Sequence, residues 1–106
     1  MNGQLVESLV NAIGSLPPDD YALFQSTLIE KTIQKTAGVC DGCARIRNTR
    51  IAVWTLISLQ NQGADESELL RNFPGLTLFD LWVARAYYQA NATEIDALIH
   101  EDESDV

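Results

Sequence analysis

Apolar residues recur at helical spacing along most of this chain. In Gln4 to Ile13, Leu5, Val6, Leu9, Val10 and Ile13 fall on one side of a helix, and Gly14 stands where a helix ends readily. Ser15-Leu16-Pro17-Pro18 breaks that pattern, after which Asp19 or Asp20 has the chemistry to cap a second helix with Tyr21, Phe24 and Leu28 turned inward. Thr32, Ile33 and Thr36 are β-branched and predict an extended stretch leading into the glycine-punctuated loop Gly38 to Gly42. Further on, Val53, Trp54, Leu56, Ile57 and Leu59 form an apolar helix face that ends at Gly63.

Asp65 to Glu68 and Thr77 to Asp80 each place an acid three residues after a capping side chain. The first predicts a short helix with Leu69 and Leu70 inside, stopped by Phe73-Pro74-Gly75. The second predicts a longer helix to Ala90, with Leu78, Leu81, Ala84 and Tyr88 on its inner stripe and Phe79, Asp80, Val83, Tyr87 and Gln89 outward. A last segment from Glu94 to His100 brings Ile95, Leu98 and Ile99 to one face before a polar tail that frays.

The stretch Gly38 to Ile51 lacks helical periodicity. Arg45, Ile46 and Arg47 alternate polar and apolar, Asn48-Thr49 supplies a two-residue reversal, and Arg50-Ile51 resumes the alternation. The expectation is a small β-hairpin with its arginines on the wet face. The fold expected is therefore mainly α. It consists of a helix-turn-helix-like three-helix bundle preceded by a short β-hairpin, with two extra N-terminal helices. The corresponding divisions are an N-terminal helical extension over 1–32, the bundle and hairpin over 33–100, and an acidic disordered tail over 101–106.

A chain of 106 residues is long enough to bury a core without metals or disulfides. Two cysteines three positions apart do not make a secreted disulfide framework, and Met1 to Ile13 does not read as a leader, so a reducing cytoplasm is the expected compartment. No segment approaches the ~20 apolar residues of a spanning helix, which points to a soluble protein with no membrane partner.

The net charge of −8 argues against a general affinity for phosphate backbones. That charge is uneven. Residues 1–32 carry −3, residues 33–91 carry +1, and residues from Ala92 onward carry −6. Lysine and arginine thus gather in the middle, flanked by acidic ends suited to a basic partner or to the chain's own cations.

Cys40-Asp41-Gly42-Cys43 has the spacing of half a zinc site or of a thiol redox pair. Zinc would need two further ligands, and His100 is the single histidine, so no cofactor is expected and the thiols read as free. No serine or cysteine has a plausible base beside it, and the carboxylates cluster at helix starts, where they serve the dipole. An enzyme is not expected.

Several ordered motifs carry a resemblance. Ala37-Gly38-Val39-Cys40-Asp41-Gly42, Ile46-Arg47-Asn48-Thr49-Arg50-Ile51-Ala52-Val53-Trp54, Phe73-Pro74-Gly75-Leu76-Thr77, and Ala86-Tyr87-Tyr88 with Glu94-Ile95-Asp96 together resemble domain-of-unknown-function family 433, small bacterial, notably cyanobacterial, proteins related to VapB-type antitoxins. The match runs from about Ile33 to Asp96. Ala44 stands where the pattern usually has proline, and Asn48 where it has glycine; Asn tolerates the left-handed backbone that glycine would adopt.

The resemblance implies a helix-turn-helix-like core behind a short hairpin, and the antitoxin half of a toxin–antitoxin pair that binds a PIN-like nuclease and its own operator. Arg45, Arg47, Thr49 and Arg50 are then the expected partner-binding residues, Arg50 being the one most suited to a structural role because it abuts the helix at Val53. DNA contact, expected to be weak, would fall to Arg71, Arg85 and Gln89, although the long helix is a poor base-reading surface and Arg85 shares the apolar stripe, where it is expected to pair with a carboxylate. The alternative is a homo-oligomeric module with no nucleic-acid role, a homo-dimer whose copies pair through Leu5, Leu9, Ile13, Phe24 and Leu28.

Overall fold

A computed structural model describes residues 3–104. It contains six helices and one small antiparallel sheet: α1 Gly3–Gly14, α2 Pro18–Thr32, β1 Ile33–Gln34, β2 Arg45–Ile46, α3 Val53–Asn61, α4 Glu66–Asn72, α5 Leu78–Ala90 and α6 Ala92–Ser104. The chain is mainly α, as its periodicity predicts. β1 pairs with β2 in the register Ile33 to Ile46 and Gln34 to Arg45.

Proline, not aspartate, starts α2. Pro17 occupies the capping position without a side-chain bond and Pro18 opens the helix, where its fixed φ and missing N–H cost nothing. Asp19 and Asp20 instead lie in the first turn, where negative charge meets the positive end of the dipole. Along α2 only the end of the helix is buried, at Thr32, while Leu28 and Ile29 pack against the core and Tyr21 stays largely exposed.

The core forms where α3 meets α5 and α6, with α2 laid on α5. Ile46, Val53, Leu56, Leu69, Val83 and Ile95 are fully enclosed there. α6 is anchored by Ile95 and by Leu98 and Ile99 beside it, and it runs helical to Ser104. The expected disorder from residue 101 is therefore corrected over 101–104; the rest of that tail lies outside the described residues. Continued backbone hydrogen bonding from the anchored part of α6 carries the polar segment along.

Two capping signatures appear as read. The Asp65 carboxylate accepts from the Glu68 N–H at 2.9 Å, and Thr77 and Asp80 form a reciprocal capping box. The rotation of α5 differs from expectation. Asp80, Val83 and Tyr87 point inward, whereas Leu78 is 57% exposed. Asp80 turns the helix because its carboxylate bonds to groups beneath it, and Tyr87 follows, donating its hydroxyl to Glu94 at 2.9 and 3.0 Å. Lys35 donates to the same carboxylate at 3.1 Å, so the end of β1, α5 and α6 share one polar tie.

Among the described residues, no helix is long and apolar enough to cross a membrane.

Candidate functional site

The arginine segment folds as one short strand, β2, and a tight reversal; β2 pairs with β1 rather than with a strand after the turn, and the exposures also differ from the sequence reading. Ile46 donates its N–H to the Ile51 carbonyl, and Arg45 bridges Ala52, so the returning arm pairs at a single bridge. The turn is closed by the Thr49 N–H on the Ile46 carbonyl at 2.9 Å. Its central residues are thus Arg47 and Asn48, and the left-handed backbone falls on Arg47, at φ 43°, rather than on Asn48. The Thr49 hydroxyl donates to the Ile46 carbonyl at 2.6 Å and accepts from the Ile51 N–H at 3.1 Å, clamping the same turn.

Arg45 is not on a wet face. Its residue is 7% exposed, and its guanidinium donates to the carbonyls of Arg47 at 2.6 Å and Thr49 at 3.1 Å and to the Thr36 hydroxyl at 3.0 Å. It fills the inside of the turn with donors where backbone carbonyls would otherwise lack partners. Its Nε is buried and has no hydrogen-bond partner among the described residues.

Arg47 reaches across the fold to the start of α5. Its Nε donates to Asp80 Oδ1 at 3.1 Å and its Nη2 to Asp80 Oδ2 at 2.5 Å, a bidentate pair, while Nη2 also meets the Gly75 carbonyl at 3.1 Å. The Asp80 side chain is 3% exposed and that of Arg47 44%. Burial pushes the Asp80 carboxyl upward, but the Arg47 guanidinium and the Thr77 N–H and hydroxyl outweigh it and hold the group below the ordinary carboxylate value. The hydrogen bond to Asp80 raises Arg47 in turn. Two motifs separated along the chain, the arginine turn and Phe73-Pro74-Gly75-Leu76-Thr77, thus meet in one network.

Of the partner-binding residues expected from sequence, Arg45, Arg47 and Thr49 are brought together and used internally. The structural role foreseen for Arg50 is reversed: its side chain is exposed and makes no hydrogen bond or ion pair among the described residues, and only its carbonyl is engaged, by the Cys40 thiol at 3.2 Å. Arg71, at the end of α4, is exposed. Arg85 is exposed too and makes no ion pair with a carboxylate among the described residues; it shares a shallow groove with Glu66, Leu78 and Trp82. It lies near Gln89, which lines a second hollow with Trp82 and Tyr21.

The sequence reading missed the importance of this last surface. Leu78, Phe79 and Trp82 are each about half exposed on consecutive turns of α5, with the Phe79 and Trp82 rings tilted 6.1 Å apart. The capping pair alone does not give this rotation; the contact with Arg47 turns Asp80 inward, and with it Phe79 and Trp82 outward.

Among the described residues no group of three or more His, Cys, Asp or Glu gathers to hold a metal ion. Cys40 and Cys43 are free and half-buried. Burial, followed by the nearby charges of Asp41 and other acids, pushes the Cys43 thiol above its ordinary value. In a Cys40→Ser background, Cys43 is therefore expected to react with iodoacetamide more slowly than free cysteine at mildly alkaline pH, measured by mass spectrometry.

The family model for the protein of unknown function DUF433 matches residues 33–88, which span the sheet, the arginine turn, α3, α4 and nearly all of α5. A crystal structure of a DUF433 member protein from Anabaena variabilis ATCC 29413 is 47% identical, with alignment over 94% of this chain and 99% of that one and a TM-score of 0.65. The chain belongs to the DUF433 family. No curated protein matches it. The likeness to the Anabaena DUF433 protein leaves out only a few residues of this chain, so it reaches beyond the family-model segment into the flanking helices.

Proposed function

We propose that this DUF433 protein acts by binding rather than catalysis, as an antitoxin-like regulator that occludes a PIN-like nuclease, with the exposed face of α5 as its docking surface. The observation that carries this reading is the aromatic patch of Leu78, Phe79 and Trp82, bordered by Arg85. Exposed Trp and Phe beside Arg form the composition typical of the centre of a protein interface. The hairpin arginines contribute indirectly, since Arg47 fixes the start of the helix that displays the patch. A net charge of −8 supports a basic protein partner, as a nucleic-acid-cutting enzyme would be, over nucleic acid itself. DNA contact forms no part of the reading, because α5 would offer bases only Arg85 and Gln89 among exposed apolar side chains.

The test is cleavage of single-stranded RNA by a PIN-like nuclease from the same genome, with and without an equimolar amount of this chain. Inhibition is expected, together with at least a tenfold loss of inhibition in a Phe79→Ala, Trp82→Ala double variant and no retardation of promoter DNA at low salt. Full nuclease activity in the presence of the wild-type chain overturns the proposal.

A further inference from the structure

α1 is an apolar helix whose stripe lies largely open to solvent. None of its residues is buried, and Leu5, Val6, Leu9 and Val10 are each more than half exposed along one stripe. Twelve residues is near the lower limit for a helix that stands alone in water, so covering the stripe would stabilise it. The chain carries a fitting surface of its own: along α2 lies a groove of about 480 Å³ walled by Leu16, Leu23, Phe24 and Leu28, with Asp20 at one end and Lys31 at the other.

Stripe and groove match in length and charge. α1 is ~18 Å long and α2 ~22 Å, from the rise per residue. Glu7 is the one charged residue of α1, and Lys31 makes no ion pair among the described residues. Laid antiparallel in the groove with Glu7 against Lys31, α1 brings Leu9 and Val10 over Leu28, and Ile13, ~9 Å along, over Phe24. Antiparallel placement also sets the positive end of α1 beside the negative end of α2. In this chain α1 does not fold back onto its own groove, and Pro17-Pro18 favour an extended path out of the connection.

We propose that two copies exchange their α1 helices, each lying antiparallel in the α2 groove of the partner with Glu7 paired to Lys31. A second copy supplies stripe and groove in equal number and buries both twice, an isologous arrangement. A foreign helix would fill the groove and leave α1 bare. The groove shares Phe24 and Leu28 with the hollow that holds Trp82, but Leu78 and Phe79 line neither, so a dimer would leave that part of the α5 patch available.

The test is the mass of the full chain by light scattering across micromolar to millimolar concentrations. The wild type is expected at twice 11.7 kDa. Leu9→Asp, at an exposed position, is expected to weaken association at least ~100-fold with unchanged near-ultraviolet circular dichroism. Glu7→Lys and Lys31→Glu are each expected to weaken it about fivefold, and together to restore it. In a mixture of isotope-labelled and unlabelled chains, carbodiimide is expected to join Glu7 of one copy to Lys31 of another. A monomeric wild type, a Glu7–Lys31 link found only within single chains, or a dimer untouched by Leu9→Asp overturns the exchange. Phe79→Ala, outside the groove and the hollow beside it, is expected to leave the dimer mass unchanged, so failure of the nuclease reading and failure of the exchange are told apart.

Discussion

Replacing Asp80 by alanine is expected to cost about 2 kcal/mol of stability and to lower the melting temperature by roughly 10 °C. The carboxylate accepts the Thr77 N–H as half of the capping box and both guanidinium bonds from Arg47. Alanine orphans donors at the start of α5 and unhooks the arginine turn together. Asp80→Asn keeps the size and part of the capping and is expected to fall between. The two proteins should also differ with pH. In the unfolded chain the carboxyl binds a proton near its ordinary value of about 3.9; in the folded protein it resists protonation to a lower pH. The unfolded state therefore binds more protons in that window, so the contribution of Asp80 is fully present above it and is lost as pH falls through the folded value. Urea unfolding of wild type and Asp80→Asn is expected to show a gap at neutral pH that closes below about pH 4. A gap that persists there would assign the effect to packing rather than to charge.

Ile95→Ala is expected to be more damaging, at about 3 kcal/mol, because Ile95 is fully enclosed and its removal leaves a cavity between α6 and the helices beneath it. Ile95→Val, which deletes one methyl group, is expected to cost about 1 kcal/mol. The loss should be visible locally as well. Hydrogen exchange along α6 is expected to quicken in Ile95→Ala, since Ile95 is its fully enclosed anchor, while Leu98 and Ile99 are only partly buried and the Glu94 bonds to Tyr87 and Lys35 and the Tyr88 hydroxyl on Asp96 are polar ties. Stability equal to wild type would mean that α6 is an appendage. The expectation here is that it belongs to the core, although the family model ends at residue 88.

Much of the architecture is legible from the residues because the signals are local. The capping pairs Asp65 to Glu68 and Thr77 to Asp80 start helices where the spacing says they should, and Ile95, Leu98 and Ile99 face the core as their period requires. What escaped reading is long-range. Alternation in Arg45-Ile46-Arg47 indicates a strand, but it does not reveal that Arg45 turns under the loop to satisfy carbonyls, or that Arg47 adopts a left-handed backbone and spans 33 residues to find Asp80. The same tie set the rotation of α5, which moved Val83 and Tyr87 from the expected outer face to the inside and left Leu78 in solvent. For the candidate site, residue types marked the arginine turn but not the contacts that its side chains make. Arg45 and Arg47, which read as docking groups, make internal contacts, Arg50 stays exposed, and Phe79 and Trp82 of the helix that Arg47 reaches lie at the surface.

The bidentate Arg47–Asp80 contact also has a consequence for how such a chain varies over generations. Each member loses its charged partner without the other, and the left-handed backbone at position 47 suits glycine best, with Asn and Asp next. Lineages that lose the acid are expected to lose the base soon after, and a glycine at the turn is the replacement that relieves the strain left behind. The two positions should therefore be inherited as a couple, while the neighbouring Arg50 drifts on its own.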